Sequence, residues 1–473
     1  MQDRDIPLCV DLDGTLIRSD ISIEAALALL RRNPLYLFFF IVWLGNGRAR
    51  LKREIAARVR VDVARLPYDE RVLDWLRGEA GGRRRVLCTA SDQTLADAVA
   101  VHVGGLDEVL GSDGVRNLGG RGKRDALCER YGEGAFDYAG NAAPDLHVWR
   151  HARHAIVANA APRLLRRVRR ERDVERVFVC RDGGWRAWLG ALRLHQWLKN
   201  ALVFVPLLAA HLVLMPDAVL RAIVAFVAFS LCASGAYVLN DLFDLDADRR
   251  HPRKSLRPFA AGTLALARGL FAAPLLMLAA FALGWALAPR FLLVLLVYAA
   301  ITLAYSLFLK RVAMLDAVTL AALYTLRIIG GAVAIPVEAS FWLLAFSMFL
   351  FLSLAMVKRY TEVRRVAASD EEKVAGRGYR VDDLPLIQSL GTSSGYLSVL
   401  VLAFYINSTA STALYRHHEV LWVLTPVLLY WISRVWLIAR RGDMHDDPVV
   451  FALTDRVSLG VLALFAVVIL IAI

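Results

Sequence analysis

Two short acidic stretches carry the residues best suited to chemistry. The first, DLDGT, sets Asp11 and Asp13 two residues apart after the apolar run IPLCV. At that spacing one carboxylate can attack while the other handles a proton. The second, NDLFDLDAD, gives Asn240, Asp241, Asp244 and Asp248 the pattern NDxxDxxxD at the end of a long apolar run. On a helix, positions i, i+3 and i+7 share a face, so Asp241, Asp244 and Asp248 are expected to converge. Three carboxylates on one face repel unless a cation lies between them. Hard oxygen ligands suit magnesium, and magnesium suits diphosphate. The bases that follow (Arg249, Arg250, Arg253, Lys254 and Arg257) can hold phosphate oxygens directly. Acids at the mouth of a membrane span point to function.

The elements that must position these residues differ between the halves of the chain. IPLCV reads as a buried parallel strand, which puts Asp11 and Asp13 at its C-terminal end, where open α/β sheets bind ligands. RRRVLCTASDQT is a second strand ending in the hydroxyls of Thr89 and Ser91. Lys123 stands at a predicted helix start, and FDYAG leads to Gly140, Asn141 and Asp145. From about residue 200 the chain becomes a series of apolar runs, each near the ~20 residues a bilayer span needs. Starts near 200, 217, 264, 290, 314, 339, 394, 420 and 453 predict about nine spans. The first two are separated only by MPDA and should form a tight hairpin.

Composition agrees with a membrane protein. The chain has 473 residues, 57% of them hydrophobic, with net charge +13. In a membrane protein such charge points to cytoplasmic loops rather than nucleic acid. Five cysteines lie far apart without a CxxC pair, which suits a reducing compartment. MQDRDIPLCV lacks the pattern of a secretory signal, so the front half is expected to stay cytoplasmic. Between the halves, RLLRRVRRERDVERVFVCRDGGWRAWLGALRLHQWLKN is basic and then Trp-rich. It reads either as a solvated linker or as an interfacial segment with Trp185, Trp188 and Trp197 at the boundary. PLYLFFFIVWLG, residues 34–45, is apolar but too short to span; it is either buried in a small cap or dips into the membrane.

Residues 5–160 resemble the haloacid-dehalogenase-like phosphatase superfamily, on the order DxDGT, strand-end hydroxyl, Lys, then Gly-x-x-x-x-Asp. The resemblance implies a Rossmann-like core with a helical cap inserted near 20–75. It implies that Asp11 forms an aspartyl-phosphate, that Asp13 is the general acid/base, and that Thr89 and Lys123 hold the phosphoryl group. Magnesium would lie among Asp11, the Asp13 carbonyl, Asn141 and Asp145. The family usually carries an acid where this chain has Asn141.

The second half is similar to the UbiA-type prenyltransferase superfamily through NDxxDxxxD. The loop MVKRYTEVRRVAASDEEKVAGRGY is basic where common members are acidic. With LHQWLKNALVFVPLL, AYSLFLKRVAMLDAVTLAALYTLRIIGGAVA, KRYTE and DDPVVFALTDRVS, it resembles the decaprenyl-phosphate phosphoribosyltransferase branch over residues 190–473. The resemblance implies phosphoribosyl pyrophosphate as donor, a polyprenyl phosphate as acceptor, and Mg2+ on Asp241, Asp244 and Asp248. Lys199 and Asn200 are expected at the first span's entrance, with Tyr305 and Lys310 at the end of the fourth. Lys358 and Arg359, followed by Tyr360, are expected at the phosphates. Arg327, a charge within an apolar run, needs a partner or a substrate. Asp446, Asp447 and Asp455 are either site residues or, the preferred reading, caps at the start of the last span, and Lys199 is either a site residue or a snorkelling boundary lysine.

The expectation is therefore an N-terminal phosphatase domain over 1–185 and an all-α membrane transferase over 186–473. The basic loops place both on the cytoplasmic side of an inner or plasma membrane. The pair would make polyprenyl-phosphoryl ribose in two steps. The competing expectation is an aromatic prenyltransferase that uses a prenyl diphosphate, carrying an unrelated or regulatory phosphatase domain.

Overall fold

The computed structural model describes residues 6–78, 82–179, 183–368, 377–444 and 447–473. The described chain forms two compact units: Met1–Leu192 with Tyr237–Ala273, and Arg193–Ala236 with Pro274–Ile473.

The first unit holds a six-stranded parallel sheet in the order β3-β2-β1-β4-β5-β6. The strands are β1 (Leu8–Val10), β2 (Arg85–Asp92), β3 (Glu108–Ser112), β4 (Asp137–Gly140), β5 (Ala155–Ala158) and β6 (Val174–Phe178). The central ones are apolar on both faces because helices cover both, so Leu8, Cys9, Val10, Val86, Leu87, Ala139 and Ile156 are all buried. This is the Rossmann-like arrangement expected. Its strand order reverses between β1 and β4, and that switch point opens a crevice at the strand ends.

Helices α1 (Ile21–Arg32), α2 (Tyr36–Gly45), α3 (Arg48–Ala56) and α4 (Glu70–Arg77) lie between β1 and β2, as a cap inserted after DLDGT. Asp20 caps α1 by accepting from the Ile23 amide, and Asp69 caps α4 by accepting from that of Arg71.

Asp69 is fully buried and holds the cap entrance together. It lies 3.3 Å from Arg18 and 2.6 Å from the Arg71 guanidinium, and accepts from Asn159 Nδ2 at 2.9 Å. Burial alone would raise its pKa, but the hydrogen bonds from Arg71, Asn159 and Arg18 outweigh it and hold the carboxyl well below the usual range. A depressed folded-state pKa gives stability that is present above the unfolded value, about 3.9, and lost as pH falls toward the folded one. Thermal melts of the full chain should therefore weaken below about pH 4. Asp69→Asn should lower the melting temperature at neutral pH and make that acid decline shallower. A variant with the parent's acid profile would contradict the assignment.

The second unit is helical. With the ends of Pro216–Phe243 and Leu266–Leu287 that belong to the first unit, seven helices are long and apolar enough to cross a membrane among the described residues. They are Pro216–Phe243, Leu266–Leu287, Pro289–Leu307, Leu315–Ala334, Phe341–Ala367, Val381–Ile406 and His418–Arg441. An eighth is reached if Pro448–Thr454 and Arg456–Ala472, bent by 71°, count as one span. The expected nine spans give way to seven or eight. The run beginning near 200 is a 3-10 segment, Leu194–Phe204, followed by the five-residue helix Val205–Ala209. It makes no spanning helix, because buried Lys199 and Asn200 turn to side-chain partners and Pro206 restarts the helix.

Candidate active sites

The DLDGT site stands at the switch point. β1 delivers Asp11 to the crevice, and the Asp11 amide donates to the carbonyl of Ala139 on β4 at 2.9 Å. Gly14 turns the chain with φ +77°, and a Cβ there would fall 1.9 Å from Asn141 Nδ2. Only glycine allows both the turn and the approach of the β4 loop. Asp11 Oδ1 accepts from Lys123 Nζ at 2.7 Å, and Lys123 also donates to Tyr138 at 2.8 Å. Asp13 turns the other way. It accepts from the Ile21 amide at the start of α1 (2.8 Å) and from Ser91 (2.7 Å), with Thr89 at 3.4 Å. Burial pushes both Asp11 and Asp13 up to about 7. Burial alone would lower Lys123, but the charges of Asp11 and Asp145 hold it above the ordinary lysine range.

Asp11, Asp13, Thr89 and Lys123 thus share one buried site. Asp145 departs from its expected role as a metal ligand. One oxygen accepts from the Asn141 and Ala142 amides at 3.0 and 2.9 Å and the other from Tyr138 at 2.8 Å, so the carboxylate shapes the loop. The donors left for magnesium are Asp11, the Asp13 carbonyl and Asn141. That set fits an ion that keeps several of its waters. Sequence reasoning missed Lys52, which donates from cap helix α3 to the Ala90 carbonyl at 2.5 Å and to Asn117 at 3.2 Å. No spacing signal marks it.

The acidic segment also lies in the first unit. The long helix ends at Phe243, Asp244 has φ −97° and ψ 12°, and a short helix Leu245–Arg250 follows. The three carboxylates therefore do not line one continuous helix face. Asp241 and Asp248, both buried, converge on one nitrogen of Arg257 at 3.2 and 2.7 Å. Asp244 instead pairs with Arg31 of α1 at 3.1 Å. Burial raises the Asp248 carboxyl, against the pull of Arg257. Among the described residues, no three acidic, His or Cys side chains are grouped to hold a metal. The donor type still fits magnesium, since two buried carboxylates, Asp241 and Asp248, already bracket a cationic group.

Of the expected phosphate-binding bases, Arg249 is otherwise engaged. It makes a two-pronged pair with buried Glu24 of α1, 2.7 Å on each arm, and donates to Ala260 O at 3.0 Å. Arg253 and Lys254 are exposed and Arg257 half-buried.

In the second unit, Arg327 meets protein partners. Its guanidinium donates to Asn200 Oδ1 (2.7 Å), Leu323 O (2.6 Å) and Tyr298 (2.8 Å), and lies 4.9 Å from the Tyr298 ring centre. Asn200 also donates to Ser230 at 3.0 Å. Asn200→Ala leaves part of a buried guanidinium without its acceptor. It should cost about 1–3 kcal/mol and lower the melting temperature in detergent; an unchanged melt would contradict the role given to Asn200.

Two further expectations are corrected here. Arg359 is fully buried, 2.5 Å from both Asp316 and Glu362 and donating to Tyr305 at 2.9 Å. It ties helices together and presents no guanidinium to a phosphate. Tyr360 packs in the apolar core with its ring 5.9 Å from that of Trp436. Asp316, which also accepts from Tyr379 at 2.6 Å, went unnoticed because its partners lie 43 to 63 residues away in sequence. Lys358 is half-buried and 3.6 Å from Asp447, which also pairs with buried Lys199. Asp447 caps Pro448–Thr454 and Asp455 caps Arg456–Ala472, as expected of helix-end acids; Asp446 lies outside the described residues. Tyr305 is on, and Lys310 just after, Pro289–Leu307.

The chain is 38% identical to the uncharacterized protein y4nM of Sinorhizobium fredii, over 98% of its own length and 90% of that protein's. It is 38% identical to the nodulation protein NoeC of Azorhizobium caulinodans, over 57% of the chain and 87% of that protein. It is 32% identical to the decaprenyl-phosphate phosphoribosyltransferase of Mycobacterium tuberculosis, over 56% of the chain and 87% of that enzyme. Residues 201–470, more than half of the chain, match the UbiA prenyltransferase family. With its seven or more apolar helices, the chain is an integral membrane protein that belongs to the UbiA prenyltransferase family.

Proposed function

We propose that the chain is a bifunctional enzyme that makes polyprenyl-phosphoryl ribose. The membrane half transfers 5-phosphoribose from phosphoribosyl pyrophosphate to a polyprenyl phosphate. The N-terminal domain then removes the 5-phosphate. The observation that carries the first step is the likeness of this half to an enzyme named decaprenyl-phosphate phosphoribosyltransferase, together with the buried Asp241–Arg257–Asp248 cluster.

In the transfer, a lipid phosphate oxygen bonds to ribose C1 as the bond from C1 to pyrophosphate breaks. Charge builds on the leaving pyrophosphate. Magnesium, when bound, supplies the neutralising charge. Asp241, Asp244 and Asp248 would hold the ion, and Arg257, Arg253 and Lys254 would bind the phosphate oxygens. Lys199 and Lys358 share Asp447 and are the cations of the second unit assigned to a phosphate; Tyr305, Lys310 and Asn240 support binding.

In the second step, Asp11 attacks the phosphorus and the ribose 5-oxygen leaves with a proton from Asp13. Lys123 balances the charge of Asp11 and of the transferring phosphoryl group. Water then attacks the phosphorus of the aspartyl phosphate, giving its proton to Asp13, and the P–O bond to Asp11 breaks to release phosphate. Tethering raises the local concentration of the second site to about the millimolar range where the linker geometry allows. Both sites act on the cytoplasmic side of an inner or plasma membrane, where the sugar phosphate is dissolved.

Donor competition tests the reading. Label in the ribose of phosphoribosyl pyrophosphate should move to the lipid fraction with polyprenyl phosphate and magnesium. If a prenyl diphosphate and an aromatic acid react instead, the chain is an aromatic prenyltransferase.

A further inference from the structure

The cap carries an apolar surface that neither proposed reaction uses. Helix α2 reads YLFFFIVWLG. Tyr36, Phe40 and Trp43 form the stripe that packs on the domain, with the Tyr36 and Phe40 rings 6.1 and 6.0 Å from that of Trp43. The rest of the helix has no cover. Leu37, Phe38, Phe39, Ile41, Val42 and Leu44 are each 51–68% exposed, and no residue of the helix is buried. A contiguous patch of this kind marks an interaction site. At ten residues the helix is about 15 Å long, half of what a span requires.

What the patch meets is indicated by the charges on either side. Residues 31–60 carry eight Lys or Arg and a single acid, Glu54. Glu54 is itself held between Arg50 and Arg58 at 2.5 Å. Arg32 precedes the helix and Arg48, Arg50, Arg53, Arg58 and Arg60 follow it, all exposed. Bases flanking a short all-apolar helix match the boundary between acyl chains and anionic headgroups. A protein partner would be expected to find a polar rim on the helix itself, and α2 offers none.

We propose that α2 docks the cap on an anionic bilayer surface, with its outward side chains among the acyl chains and the flanking arginines on the headgroups. The neighbouring helices tie this contact to the phosphatase-like site, because α1 donates to Asp13 and α3 places Lys52 at the end of β2. The substrate class that follows is a phosphate monoester carried on a lipid. This last assignment rests on the phosphatase reading above; the docking does not.

The test uses the full chain in nanodiscs of phosphatidylethanolamine and phosphatidylglycerol. An environment-sensitive fluorophore is placed at Ile41→Cys, with labelled parent protein as the background for native cysteines. The expected result is blue-shifted emission that falls by about half or more when nitroxide lipids are included. Water-like emission quenched by iodide overturns the proposal. So does blue-shifted emission that nitroxide lipids leave unchanged, which would mean that protein covers the helix. A second variant, Phe38→Ser with Val42→Ser, replaces two outward side chains. It should lower hydrolysis of a lipid-borne phosphate about tenfold and spare a water-soluble phosphate ester; equal effects on both would overturn the substrate assignment. A parent chain that hydrolyses neither ester refutes the phosphatase reading and leaves the quenching result standing.

Discussion

Asp241→Asn should abolish phosphoribosyl transfer, with a loss of at least about 10²-fold in initial rate. The substitution keeps the shape of the side chain and removes its charge. Asp241 is 2% exposed and shares Arg257 with Asp248. Without that charge, the cluster has one carboxylate fewer with which to hold a cation beside the leaving pyrophosphate. A buried ion pair that served only to stabilise the fold would show its loss in thermal melting. The expectation is instead a large fall in rate with a melting temperature close to the parent's. A variant keeping more than about a tenth of the parent rate would remove Asp241 from the chemistry.

Asp11→Asn should leave transfer within about twofold of the parent and stop the second step, with a loss on the order of 10³-fold or more. The asparagine can still accept from the Leu12 amide and Lys123, as Asp11 does now, so the loop should stay in place. It cannot attack phosphorus. The lipid product should then keep its 5-phosphate, and the two halves are separated in one preparation. Full conversion to the dephosphorylated lipid in this variant would take the phosphatase role away from the N-terminal domain.

How much of this was legible in the sequence follows from the range of the interactions. The strand before DLDGT, the glycine turn, the Lys123 helix and the Asn141 loop were all readable, because each is set by local residue order. Most spans were readable for the same reason, since a long apolar run leaves a bilayer helix few alternatives. The segment around Lys199 misled because its hydropathy resembles a span. Its buried lysine and amide are satisfied instead by Asp447, Ser230 and Arg327, which lie 30 to 248 residues away. The break at Asp244 was hidden likewise: a carboxylate pattern fixes helical phase only while the helix continues. Arg31, Glu24 and Arg257 then decide where each acid and base of the motif points. Arg359 read as a phosphate ligand because a basic loop was visible and its partner Asp316 was not. The run at 34–45 left two readings open, and its lack of any buried residue removes the one in which it fills the cap.

The most direct test of the central claim is a mass spectrum of the lipid after the purified chain is incubated with magnesium, phosphoribosyl pyrophosphate and a polyprenyl phosphate. The expected product is a lipid that has gained ribose without its 5-phosphate, with phosphoribosyl lipid as a transient. An unchanged lipid in the presence of an active, folded chain would contradict it.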